Sequence, residues 1–183
     1  MSVMTRMTVD QFLAHDWPRG TQLIAGEVVV NQPKLPHQFS LGILYSRLLA
    51  WTEAERGRGY AGLSVDVRID DHNLYGPDVW WVGDERHPPA GMLDLPGVPD
   101  LVVEVRSPST WRFDIGPKKT AYEAAGVAEL WLVDTAAPCV LVYRRSAPDA
   151  PSFDLALELA TGEVLTSPLL PGFELAVESI FRS

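Results

Sequence analysis

One cysteine, Cys139, stands among 183 residues, which excludes an internal disulfide and a cysteine-based zinc site. It opens the apolar run Cys139 to Tyr143 and so reads as an inert, half-buried strand residue rather than a reactive thiol. Long apolar runs are missing too: none approaches the ~18 consecutive residues of a membrane span. The first ten residues lack the apolar core of a signal peptide. A cytoplasmic protein with no membrane partner is expected. Basic residues are scarce, 15 Lys+Arg against 24 Asp+Glu for a net charge of -9. This disfavours tight non-specific nucleic-acid binding, whose affinity comes mainly from phosphate neutralisation, but leaves room for a local basic site. There is no phosphate-binding glycine loop, Gly-x-Ser-x-Gly elbow or His-Glu-x-x-His pair. His15, His72 and His87 have no metal-ligand spacing, and His37 reads as an N-terminal helix residue.

What is present suffices for a core: 46% of residues are hydrophobic and 21% charged, the balance of a folded chain rather than a disordered one. Thr8 is placed as an N-cap before Val9, Phe12 and Leu13, predicting a short helix. Gln22 to Val30 reads as a hairpin turning at Ala25-Gly26. From His37 to Arg56 the residues Leu41, Leu44, Tyr45, Leu48, Leu49 and Trp51 recur at three- and four-residue steps, predicting the one long helix. Leu63, Val65, Val67 and Ile69 alternate with polar residues as in a half-buried strand. Asp71 to Asn73 is expected as a turn and Pro77 to Val82 as a strand. Residues 83 to 99 read as an irregular connection. Leu101 to Arg106 is nearly continuous in apolar character and is expected to be a central strand. Pro117 stands where a first helical residue would, ahead of a helix over Lys118 to Ala125 that stops at Gly126. Glu129 to Asp134 and Val140 to Arg144 form a second hairpin, and Leu155, Leu157 and Leu159 alternate once more. With no repeat and no long linker, the order of elements predicts a single α/β domain over residues 1–183, with a mixed sheet and a helix on each side.

Two carboxylates interrupt this sheet pattern: Asp78 at a strand start and Glu104 inside Leu-Val-Val-Glu-Val. A buried ionised carboxylate is unfavourable unless paired, hydrogen-bonded or bound to a cation. Two that converge suit a hard cation such as Mg²⁺, which takes a few oxygen ligands and keeps several waters. Lys118 on the following helix would then orient an attacking water or neutralise charge on a phosphoryl group, with Tyr122 on the same helical face. Blander readings stay open beside this one. Asp78 also suits a turn cap, Glu104 an ion pair with Arg106 or Lys118, and Lys118 a solvated helix position. Glu27, between Gly26 and Val28, suits a turn or strand edge. The stretch Arg106 to Lys119 carries four basic residues against Asp114 alone and is the most cationic part of the chain.

In order along the chain come Pro77-Asp78-Val79; Pro99-Asp100-Leu101-Val102-Val103-Glu104-Val105; Ser107-Pro108-Ser109-Thr110; Asp114, Lys118 and Tyr122; Ala125-Gly126-Val127; and Glu129 with Trp131-Leu132-Val133-Asp134. This series resembles the putative restriction endonuclease family of the PD-(D/E)XK nuclease superfamily. Met7-Thr8-Val9, Gly26-Glu27-Val28 and His37 look like that family's opening, and Leu170-Pro171-Gly172-Phe173 like its close. The resemblance implies an α+β fold with a restriction-endonuclease-like mixed sheet flanked by helices. It further implies Asp78 and Glu104 as metal-binding carboxylates, with the Val105 carbonyl as a third ligand of Mg²⁺ or Mn²⁺. The superfamily's usual lysine, two residues after the glutamate, is Arg106 here; the family's lysine on the next helix matches Lys118. Glu27, Tyr122 and Arg106 are accessory candidates, Arg106 as a phosphate contact or as an ion-pair partner.

Two functions follow as expectations. One is a metal-dependent endonuclease that hydrolyses DNA phosphodiester bonds through Asp78, Glu104 and Lys118. The other is a nuclease-like fold that does not cleave and serves as a binding or assembly module, which the charge of -9 favours. A homodimer is the expected assembly if Trp80 or Trp81 is exposed, since two-fold dimers are the commonest oligomers. If both faces of that strand are covered within one chain, that argument lapses.

Overall fold

A computed structural model describes residues 6–89, 91–92 and 95–181. The first helix, α1 (Val9–Leu13), starts as predicted at Thr8. Thr8 Oγ1 accepts from the Gln11 N–H, and the Gln11 side chain accepts from the Thr8 N–H, a reciprocal cap for two otherwise unpaired donors. Strands β1 (Thr21–Ile24) and β2 (Glu27–Val30) form the expected hairpin. Its two turn residues, Ala25 at φ 50° and Gly26 at φ 76°, are both left-handed, the turn whose twist matches that of the flanking strands. The long helix is α2 (Leu35–Glu53), with Pro36 in its first turn, where a missing N–H costs nothing.

There follow β3 (Tyr60–Leu63), β4 (Val67–Asp70), β5 (Asn73–Tyr75), β6 (Val79–Val82) and β7 (Leu101–Val105). After a helical turn, α3 (Trp111–Phe113), comes a wide π-type turn over Asp114–Lys118 and then α4 (Lys119–Ala124). The chain closes with β8 (Glu129–Asp134), β9 (Cys139–Arg144), β10 (Leu155–Ala160), β11 (Val164–Leu165), β12 (Leu175–Ala176) and α5 (Val177–Ile180). A six-stranded sheet runs β10-β9-β8-β7-β6-β3 and a four-stranded one β2-β1-β5-β4. In the large sheet, among the described residues, only β7 and β8 are parallel. A parallel pair needs a crossover, and that crossover is the segment carrying α3, the wide turn and α4.

The layers follow from alternation along the strands. Leu101, Val103 and Val105 of β7 pack with Trp81, Trp131 and Val133 toward Leu44 and Leu48 of α2 and Ile180 of α5. Val102, Leu130 and Leu132 face the other way, onto Tyr122 of α4 and onto Ile24 and Tyr75 of the small sheet. The far side of the small sheet, Leu23 and Leu74, rests on Val9 and Phe12 of α1. This is the expected mixed sheet flanked by helices, and it leaves a largely buried polar cluster between the two sheets.

Three local expectations are corrected. The alternating run from Leu63 to Ile69 is not one strand: Leu63 pairs with Val79 in the large sheet and Val67 with Tyr75 in the small one. Alternation reports which face a residue takes, not which sheet it joins. Asn73 belongs to a strand, β5, rather than to a turn. The helix expected from Lys118 starts at Lys119, and Pro117 lies inside the wide turn instead of at a helix start. Without an N–H, Pro117 cannot make the regular helical bond, and Gly116, at φ -117° and ψ -105°, takes up the kink. Among the described residues no helix is long and apolar enough to cross a membrane.

Candidate active site

β7 is buried along its whole length, so the position that the pleat gives Glu104 faces the second core with only 3% of the residue exposed. Antiparallel pairing with β6 sets the end of β7 beside the residue before β6. There Asp78 Oδ2 accepts the Val105 N–H at 2.8 Å and the buried His37 Nε2–H at 3.1 Å. His37 comes from the first turn of α2, which crosses this end of the sheet.

From the crossover, Lys118 Nζ reaches Glu104 Oε1 at 2.6 Å and Asp114 Oδ1 at 3.0 Å. Tyr122 donates its O–H to the same Glu104 Oε1 at 2.7 Å. The Tyr75 ring lies 5.5 Å from Lys118 Nζ and packs edge-on against Tyr122. The wide turn is what brings Asp114 and Lys118 together, one helical step apart, while both point into the sheet.

Electrostatics follow from the count. Asp78, Glu104 and Asp114 are three carboxylates and Lys118 one ammonium, all buried. Burial, together with the charges of Asp114 and Asp78, pushes Glu104 up to about 8 against the pull of Lys118. Burial pushes Asp114 up as well. Glu104 and Asp114 hold the Lys118 ammonium above its ordinary range in spite of its burial, and Tyr122 is pushed well up by burial and by the Glu104 charge. The ammonium has two partners and the carboxylates share one. Lys118 therefore stays charged, and the carboxylates are where a proton or a further cation is taken up.

A family model described as "Putative restriction endonuclease", Uma2, matches residues 9–178. The chain belongs to the Uma2 family. Among solved structures it is similar to a putative nuclease belonging to DUF820 from Anabaena variabilis ATCC 29413, with a TM-score of 0.79 and 18% identity over 96% of this chain and 97% of that one. At that identity the likeness is one of fold. No curated protein matches.

In this Uma2 chain Asp78, Glu104, Lys118 and Tyr122 meet in one cluster. Val105 joins through its N–H on Asp78. Arg106 does not join it: Arg106 Nη1 donates to both oxygens of Asp134 at 2.9 Å, and its guanidinium lies over Trp111. That ion pair ties the end of β7 to the β8–β9 turn, where Asp134 also caps the Ala136 and Ala137 N–H groups. Glu27 is exposed at the start of β2 and makes no hydrogen bond or ion pair to the cluster among the described residues; its hairpin contributes Ile24 and Val29 to the adjoining core. Trp81 is in the large core and Trp80 on the opposite, half-covered face.

Three members were not singled out by their pattern. Asp114 had a signal in its four-residue spacing to Lys118. His37 had one in its place at a helix start, and Tyr75 had none, because its strand was not foreseen. Among the described residues no group of three or more His, Cys, Asp or Glu side chains is disposed to hold a metal ion.

Proposed function

We propose that this Uma2 chain is an endonuclease that hydrolyses DNA phosphodiester bonds with Mg²⁺ or Mn²⁺. The observation that carries the reading is the convergence of Asp78 and Glu104 from neighbouring strands, with Lys118 on Glu104. The donor set fits a hard cation. The hydrogen bonds and ion pairs to each carboxylate end on one oxygen, Oδ2 of Asp78 and Oε1 of Glu104, which leaves the other oxygen as a ligand. With Asp78, Glu104 and Asp114 ionised the cluster also has two more negative charges than positive ones, the deficit that a divalent ion offsets. Asp78 and Glu104 would hold the ion, with the Val105 carbonyl as the third protein ligand that the family resemblance implies. When bound, the ion lowers the pKa of a water and stabilises charge on a phosphoryl oxygen.

The remaining work falls to the chain. His37 and the Val105 N–H fix the orientation of Asp78. Tyr122 and Lys118 fix Glu104 by two short bonds to one oxygen. The Lys118 ammonium, held by Asp114, supplies a positive charge beside the place where a scissile phosphate would lie. Of the basic stretch, Arg112 remains exposed, with its guanidinium 4.5 Å from the Phe113 ring, and is the residue offered here as a phosphate contact.

A second reading, a nuclease-like binding module without activity, draws on the charge of -9 and on the internal pairing of Arg106 with Asp134 and of Lys118 with Glu104. One experiment separates them. Supercoiled and single-stranded DNA are incubated with Mg²⁺ or Mn²⁺ and wild type, Asp78→Asn, Glu104→Gln or Lys118→Ala. The endonuclease reading expects metal-dependent cleavage that all three substitutions abolish. A folded wild type that neither cleaves nor binds Mn²⁺ by calorimetry would leave only the module.

A further inference from the structure

The large sheet ends at β10, and among the described residues no strand lies beyond it. A free edge is a template for another strand, and chains blunt it with charge, proline, bulges or short length. The edge strand β4 has Arg68, Asp70 and a register shift between them. β2 and β3 are four residues each, and α2 packs along β3. β10, Leu155-Ala156-Leu157-Glu158-Leu159-Ala160, is six residues with a single charge and no proline. Leu155 and Leu157 are 43% and 45% exposed.

The backbone shows which groups point outward. At the end of β10 the Ala160 N–H goes to Glu163 Oε2 and the Ala160 carbonyl accepts the Glu163 N–H, so both face away from β9. Antiparallel ladders alternate, so the N–H and C=O groups of Ala156 and Glu158 also face outward. The leucines, opposite Arg144, Val142 and Val140 of β9, continue the row of the large core, and Leu159 is packed on it.

We propose that two copies of this chain pair through β10, antiparallel, with the two-fold axis at Leu157. In that register Ala156 faces the partner's Glu158 as a hydrogen-bonded pair, Leu157 faces the partner's Leu157, and Leu155 faces the partner's Leu159. The single carboxylate of the strand thus meets alanine. Moving the axis to Glu158 sets two glutamates opposite each other, and moving it to Ala156 sets Asp154 against the partner's Glu158, both like-charge contacts. The strand is therefore complementary to itself in one register, which selects a second copy as the occupant. The result is one continuous twelve-stranded sheet with both Asp78–Glu104 clusters on the same side of it.

Light scattering after gel filtration and oxidative cross-linking test this. Wild type is expected at twice the 20.2 kDa chain mass. Leu157→Asp is expected at the single-chain mass with unchanged far-UV circular dichroism. Under mild oxidation Leu157→Cys is expected to form a disulfide-linked dimer, because facing non-hydrogen-bonded residues have Cβ atoms close enough for the bond. Glu158→Cys is expected not to, and wild type, with Cys139 buried, is the control. A wild type of single-chain mass at every concentration overturns the proposal. So does a dimer that persists in Leu157→Asp, or one that links through residue 158 instead of 157.

Discussion

Glu104→Gln should change how stability depends on pH, in a direction fixed by burial. Removal from water pushes Glu104 up to about 8 from an ordinary 4.5. Between those two values the folded chain holds a proton on Glu104 that the unfolded chain has released. Stability from this group is therefore complete below pH 4.5 and is lost as pH rises through about 8. The slope is ~1.4 kcal/mol per pH unit, so the loss over the window is about 5 kcal/mol. Glutamine keeps an acceptor for Tyr122 and Lys118 but cannot ionise, so the variant lacks this slope. The assay is urea denaturation without metal at half-unit steps from pH 4.5 to 8.5, wild type beside Glu104→Gln. The wild type should weaken relative to the variant steadily across the range. Addition of Mn²⁺ should flatten the wild-type curve alone, since an ion on the carboxylate takes the place of the proton. Parallel curves for the two proteins, with or without Mn²⁺, would falsify the view that burial between the sheets holds a proton on Glu104.

Tyr122→Phe removes the O–H that Glu104 Oε1 accepts at 2.7 Å and should cost ~1–3 kcal/mol in denaturant unfolding; an unchanged midpoint would mean the bond contributes nothing. At Gly62 an added Cβ would stand 2.1 Å from Trp80 Cζ2, and the Trp80 ring is anchored by its N–H on the Leu63 carbonyl at 2.6 Å. Gly62→Ala should therefore lose ~1–3 kcal/mol through overpacking, read as a lower thermal midpoint; an equal or higher midpoint contradicts it. Arg112→Ala should weaken DNA binding at low salt and reduce the salt dependence of affinity by about one phosphate contact. If the slope of affinity against salt does not change, Arg112 is not at the phosphate.

The sheet strands that can be read in the sequence are those with one neighbourhood. Leu101 to Val105, apart from Glu104, and Leu130 to Val133 are apolar because both faces of the large sheet are covered, and the β8–β9 hairpin has its turn residues in place. What could not be read involves contacts between distant segments. The chain changes sheets after Leu63 without a break in alternation, so a single strand was expected where two occur. β5 is three residues long, too short for a period, and Tyr75 was lost with it. At the site, Asp78 and Glu104 were legible because a carboxylate in an apolar strand needs a partner. Lys118 and Tyr122 were legible from one helical face. That Lys118 serves Glu104 while Arg106 turns to Asp134 depends on the kink at Gly116-Pro117; Gly-Pro marks a break in a helix but not the side-chain directions that follow it.

The crossover also separates two things that a strand would bind together. A lysine inside β7 could shift only by whole steps of the pleat, and each single step would throw it to the opposite face and disturb the pairing with β6 and β8. Lys118 stands on a turn between parallel strands, where one residue added or removed swings the next helix by roughly 100° and leaves every sheet register intact. The charge that meets the carboxylates is thus carried by a part that can be retuned in length, while Asp78 and Glu104 sit in one that cannot.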